Sequence, residues 1–165
     1  MINLNNKSFL KFFLFFLISG ILIFFDQLTK FFAVKYIKTD LLTISFKPFF
    51  EFLYVENTGA AFGIFKGMRV FFILITIVAI IVLLFYVYKI NLQKEKNFFI
   101  FLILIFSGAI GNFIDRVRLS YVVDFINFCF IDFPVFNLAD TYITVAIFLL
   151  ILCFLFEKKV NATKS

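Results

Sequence analysis

Histidine is absent from the 165-residue chain. That absence excludes Ser-His-Asp triads, Cys-His pairs and histidine-ligated metals in one step. Cysteine is scarce. Cys129 and Cys153 stand apart with no paired-cysteine motif, so neither a thiolate metal site nor a disulfide framework is expected. Both read as apolar packing residues. Cys153 follows Leu150-Ile151-Leu152, a faint likeness to a lipid-attachment box, but it lies in the last apolar run rather than near the N-terminus. No metal and no cofactor is expected from this composition.

What the chain has in excess is apolar surface. It is 64% hydrophobic with a mean hydropathy of +1.08, against about 45–50% apolar for an ordinary soluble domain. Lipid is therefore the expected solvent, and residues 1–165 read as a single integral membrane domain. The formal charge of +6 is dispersed among apolar runs, so no nucleic-acid partner is expected.

A membrane helix needs about 20 mostly apolar residues. Four stretches come close, at about 9–25, 70–88, 98–114 and 138–156. The first resembles a signal peptide, with Lys7 and Lys11 ahead of it, but no small-residue cleavage site follows, so an uncleaved anchor is expected. Segments 1–11, 89–97 and 157–165 hold eight basic residues (among them Lys89, Lys94, Lys96, Lys158 and Lys159) and only the acids Glu95 and Glu157. The other connecting segments balance their charges over a much longer stretch. The basic segments should therefore be cytoplasmic, with both termini inside. Asp26, Asp115, Asp124 and Asp140 then all fall at the outer edge, where an ionisable group avoids the cost of deep burial in lipid. The long connection at about 41–65 alternates in places (Phe50, Phe52, Tyr54) and is punctuated by Pro48 and Gly59. It reads as a small sheet or hairpin resting on the outer leaflet.

Asp124 stands in Tyr121-Val122-Val123-Asp124-Phe125, where desolvation should raise its pKa. Asp140 stands in Phe136-Asn137-Leu138-Ala139-Asp140. Taken singly, Asp124 could pair with Arg116 or Arg118, and Asp140 could be the N-cap of the fourth helix. As a pair approaching one face they could share a proton. One would then be the base toward water and the other the acid toward a peptide carbonyl. Asn112 and Asp115 share a helix face, Asp115 and Arg116 could form a local salt bridge, and Ser107, Gly108 and Gly111 suit close helix approach. Asn57 and Gly59 mark a turn with one useful polar side chain.

Taken in order, Asp26-Gln27-Leu28-Thr29-Lys30, Asn57-Thr58-Gly59-Ala60-Ala61-Phe62, Gly111-Asn112-Phe113-Ile114-Asp115-Arg116, Val122-Val123-Asp124-Phe125 and Phe136-Asn137-Leu138-Ala139-Asp140 resemble the motif blocks of bacterial lipoprotein signal peptidase, or signal peptidase II. The likeness runs from about residue 20 to 156. It implies an all-α membrane protein of four transmembrane helices with a small extracytoplasmic β-sheet and a loop-helix, the latter over 118–135. It implies an aspartic endopeptidase of the bacterial cytoplasmic membrane that removes signal peptides from prolipoproteins, cutting before a diacylglyceryl-modified cysteine. Asp124 and Asp140 match the family's catalytic aspartates. Asn57, Asn112, Asp115, Arg116 and Asn137 match positions lining or supporting its site, and Asp26 matches a further acid near it. Diacylated prolipoprotein and membrane lipid are the expected partners, and a monomer is the expected state. Ser107 stands where the family often has glycine.

Three rival readings remain open on sequence. A proton-coupled transporter would need acids or polar residues along the spans, which away from their ends hold few besides Thr76, Thr144 and small residues. A Ser-Lys protease could use Lys30 with Ser107 or Ser120, though no serine has a recognisable nucleophile setting. A noncatalytic scaffold would make the acids structural.

Overall fold

The computed structural model describes residues 4–39, 41–42, 44–60, 64–92 and 95–162, with side chains between 8 and 155. Ala61 and Phe62 of the 57–62 motif, Lys94, and the side chains of Lys7, Glu157, Lys158, Lys159 and Lys164 lie outside the described residues.

Four helices dominate: α1 (Leu4–Phe32), α2 (Arg69–Lys89), α3 (Lys96–Arg118) and α4 (Leu138–Ala162). All four are long and apolar enough to cross a membrane. A helix satisfies its own backbone groups, which hydrocarbon cannot do for it. Val70, Leu74, Val78, Ile81 and Phe85 form an exposed row along α2. In water such a row would be a liability; on a membrane helix it is the surface that lipid wets.

Helix α3 is the hub, packed against α4, α1 and α2. Phe15, Leu83, Val87, Phe99, Leu102 and Phe106 form the bundle core. Phe15 is fully buried, its ring 4.9 Å from Phe106 and 6.0 Å from Phe99. Two basic side chains tie helix ends together. Lys11 donates to the carbonyls of Tyr88 (2.9 Å) and Ile90 (3.1 Å), joining the start of α1 to the end of α2. Arg69 donates to the carbonyls of Arg116 (2.7 Å) and Val117 (2.8 Å), joining the start of α2 to the end of α3. Both satisfy carbonyls that a helix C-terminus leaves open. Successive helices thus run in opposite directions.

The first helix differs from its expected extent. It does not stop near residue 25 but runs through Phe32 and on into a π-helical turn, Ala33–Ile37. The physical reason is that Asp26 does not meet water: it is fully buried and paired with Lys30 one turn later, 3.0 Å away. A neutralised pair does not end a helix as a lone acid would.

Three antiparallel strands, β1 (Ser45–Phe46), β2 (Phe50–Asn57) and β3 (Val122–Phe128), form a sheet in the order β1-β2-β3. The first two fall in the expected outer β segment. The third lies where the resemblance implied a loop-helix, and among the described residues 118–135 holds no helix beyond the end of α3. The β-branched and aromatic run Val122-Val123-Asp124-Phe125-Ile126 favours a strand, and the free edge of β2 supplies its partner. Val123 and Phe125 pack with Ala33, Phe52 and Tyr54, which fastens the sheet to the end of α1. The opposite face of β3, bearing Val122 and Asp124, turns toward α3 and α4.

Candidate active site

Asp140 comes from the first turn of α4. Asn137 Oδ1 accepts the Asp140 N–H at 2.9 Å, and Asp140 Oδ2 accepts the Asn137 N–H at 3.3 Å. This is a reciprocal capping box. The N-cap is therefore Asn137, three residues before the acid considered for that role, and Asp140 is its partner at the third helical position. A carboxylate there also faces the favourable end of the helix dipole. Its other oxygen, Oδ1, accepts from Asn112 Nδ2 at 2.7 Å.

Asp124 comes from β3. The register pairs Asn57 with Val122, which sets Asn57 diagonally across from Asp124 on one sheet face. Asn57 Nδ2 donates to Asp124 Oδ2 at 2.8 Å, while Asn57 Oδ1 accepts the Gly59 N–H at 2.9 Å. That local turn holds the amide of Asn57 in one orientation. Asn137 Nδ2 donates to Asp124 Oδ1 at 2.7 Å, so one asparagine touches both acids. Among the described residues Asp124 forms no ion pair with Arg116 or Arg118.

Asp124 and Asp140 line one cavity of about 400 Å³, with Asn57, Asn112 and Arg116. Apolar residues such as Phe133, Phe136 and Ile143 complete its wall. Burial pushes the Asp124 carboxyl up to about 7, and the charge of Asp140 adds to the rise. The amides of Asn57 and Asn137 and the charge of Lys30 pull the other way. Two carboxyls facing one cavity can hold one proton between them.

Behind this layer lies a second, closed one. Lys30 Nζ sits 3.0 Å from Asp26 Oδ2, Asp115 Oδ2 and Asn112 Oδ1. Gln27 Nε2 reaches Asp26, Asp115 and the Gly111 carbonyl at 3.1–3.2 Å. Asp26 Oδ1 accepts the Ala139 N–H at 2.9 Å, and Asp115 Oδ2 accepts the Val123 N–H at 3.1 Å. These two acids therefore grip the backbone immediately before Asp140 and Asp124. Asp115 pairs with Lys30, across the bundle, and not with its neighbour Arg116. Arg116 lies in the cavity wall, 4.7 Å over the Phe72 ring, with one N–H on the Gly59 carbonyl at 3.2 Å. Among the described residues no serine is a partner of Lys30, and the Ser107 hydroxyl donates to the Ile103 carbonyl at 2.7 Å, which speaks against a Ser-Lys pair.

A family model described as signal peptidase (SPase) II matches residues 18–156. The chain belongs to the signal peptidase II family. Its relatives include a lipoprotein signal peptidase of Clostridium tetani, 48% identical over 130 residues, covering 77% of this chain and 83% of that one. Another is the lipoprotein signal peptidase of Caldanaerobacter subterraneus subsp. tengcongensis, 47% identical over 134 residues, covering 81% and 90%. A bacterial membrane enzyme solved by the in meso method superposes with a TM-score of 0.77 at 35% identity, covering 87% of this chain and 88% of that one. A second gives 0.72 at 37% identity over 86% and 92%.

In this chain, six of the eight residues singled out on sequence meet at or against the cavity: Asp124, Asp140, Asn57, Asn112, Arg116 and, with no exposure, Asn137. Asp26 and Asp115 stand one layer back. Lys30, considered on sequence only for a Ser-Lys pair, and Gln27 were not read as partners of the acids. The available signal was the i,i+4 spacing of Asp26 and Lys30 within one block, which on a helix places both charges on one side.

Proposed function

We propose that the chain removes signal peptides from prolipoproteins by aspartic chemistry, with Asp124 and Asp140 as the catalytic pair. The observation that carries this reading is the shared cavity, in which both carboxyls are held by amide donors and burial raises the Asp124 carboxyl. One carboxylate takes a proton from water as the water oxygen attacks the scissile carbonyl carbon. The other carboxyl gives its proton to the carbonyl oxygen. As the tetrahedral intermediate collapses and its C–N bond breaks, the first carboxyl returns its proton to the leaving amine and the second, now a carboxylate, takes a proton from a hydroxyl of the intermediate, which restores the starting pair. Asn57, Asn112 and Asn137 hold the carboxyls in place, and a donor supplied without reorganisation is worth most at the transition state. Arg116, in the cavity wall and not ion-paired among the described residues, offers its remaining N–H groups to substrate carbonyls and to the new carboxylate of the signal peptide.

The substrate is a prolipoprotein whose cysteine carries diacylglycerol, and the cut falls just before that cysteine. Acyl chains anchored in lipid hold the scissile bond near the headgroup plane. The cavity lies at one end of the bundle, where α1 and α3 end and α4 begins, which supports action at that depth. The basic segments gather at the opposite helix ends, so the charge bias favours cytoplasmic termini and an active site at the outer face of the bacterial membrane. A single chain holds every residue of the proposed site, which supports action as a monomer.

Incubating the purified protein with a diacylglyceryl-modified prolipoprotein and its unmodified counterpart tests the substrate. Cleavage of the modified form alone is expected; equal cleavage of both contradicts the lipid requirement.

A further inference from the structure

We propose that Lys30 is a positioning residue for Asp140, acting through the side-chain amide of Asn112; the proposal rests on the aspartic reading above. Lys30 is 3% exposed. Its ammonium carries three N–H groups and meets three acceptors, Asp26 Oδ2, Asp115 Oδ2 and Asn112 Oδ1, each at 3.0 Å. An ammonium can only donate. Asn112 must therefore turn its oxygen toward Lys30 and its Nδ2 away. The group on that far side is Asp140, whose Oδ1 takes the N–H at 2.7 Å.

Asn137 also donates to Asn112 Oδ1, at 3.1 Å, but its amide is divided among three acceptors, with Asp124 Oδ1 nearer at 2.7 Å and the Val123 carbonyl at 3.3 Å. Lys30 is the stronger instruction, because its donor is charged and has no other orientation. Without it, Asn112 can flip and present its oxygen to Asp140. Two acceptors would then face each other, and Asp140 would have to turn or take up a proton. Lys30 thus passes a direction, not a proton, from the closed layer into the cavity.

A merely structural role, neutralising buried acids, can be separated from this one. The double variant Lys30→Met/Asp26→Asn removes one charge of each sign and leaves the net charge of the cluster unchanged. Asparagine at 26 keeps an oxygen for the Ala139 N–H. In the assay with diacylated prolipoprotein, the folded double variant is expected to lose about 10- to 100-fold in kcat with KM changed less than about threefold. Lys30→Arg, which keeps a donor-only cation, is expected to exceed the double variant in kcat by about threefold or more. A double variant with parental kcat would mean that neutralisation was the whole role, and would overturn the proposal. So would a Lys30→Arg enzyme no better than the double variant. Failure of both variants to give monodisperse protein would make Lys30 a folding residue and overturn it equally. Asp140→Asn in the same assay separates the two readings: retained cleavage there sinks the aspartic mechanism itself, whatever Lys30 does.

Discussion

All four carboxyl oxygens of Asp124 and Asp140 accept an N–H, three from asparagine side chains and one from the Asn137 backbone. Those donors favour the ionised forms, and burial opposes them. At Asp124 burial wins, lifting the carboxyl from its ordinary value to about 7. A folded-state pKa above the unfolded one means that the folded protein binds more protons between the two values. Stability from this group is then full at low pH and falls as pH rises toward and through 7. With no histidine in the chain, few other groups titrate there. The parent is expected to melt at a lower temperature at pH 8 than at pH 5, by an amount worth about 1 kcal/mol or more. Asp124→Asn should flatten that dependence; an unchanged slope in thermal melts would mean that another group carries it. The acids themselves were legible in the sequence, as charges among Val, Phe and Ala. Their amide partners Asn57, Asn112 and Asn137 were singled out as site residues only through the family resemblance, and which acid each one holds was not legible, because diagonal sheet pairing sets Asn57 beside Asp124 across 67 positions of chain. The pairing of Lys30 with the buried acids was hidden for a related reason: a lysine near a helix end usually reaches water, and only the packing of α1 on α3 encloses this one.

At the scale of elements, α3 and α4 must come close for the capping box of α4 to reach Asn112. Gly108 makes that approach possible. A Cβ there would run into the Ala139 carbonyl and the Ile143 side chain, and at Gly111 it would meet Asp26 Oδ2 at 2.5 Å. Gly108→Ala should displace the first turn of α4, and Asp140 with it. An effect of about 1–3 kcal/mol is expected, with cleavage reduced. Gly20→Ala is the contrast, since nothing lies within 4 Å of its added Cβ; there the helix propensity of alanine should leave stability unchanged or raise it by up to about 1 kcal/mol. Paired melting curves in detergent check both, and equal effects would remove the packing explanation. The small-residue spacing was readable because close helix approach needs it. The third strand was not, since Val122–Phe128 pairs along its length with β2, a segment distant in sequence, and no turn signal joins them. The end of α1 was misplaced because a sequence displays Asp26 and Lys30 as separate charges, and only packing reveals them as a neutral unit.

Across the whole molecule, four apolar helices carry the chain through lipid and bring five short blocks to one end of the bundle. Those blocks form two layers: an open one where carboxyls and Arg116 line a cavity, and a closed one where Lys30 pairs with both Asp26 and Asp115. The closed layer holds the backbone before each proposed catalytic acid, so rigidity behind the site is supplied by charges that substrate never meets. Such preorganisation in a low-dielectric setting is where electrostatic stabilisation is largest. The central claim is that Asp124 and Asp140 act as one unit. Its most direct test is cleavage of diacylated prolipoprotein by Asp124→Asn, Asp140→Asn and the double variant, each confirmed as folded. Each single change is expected to lower kcat by about 100- to 10,000-fold, and the double variant to be hardly slower than either. Two modest losses that multiply in the double variant, or a single variant with near-parental cleavage, would contradict the account.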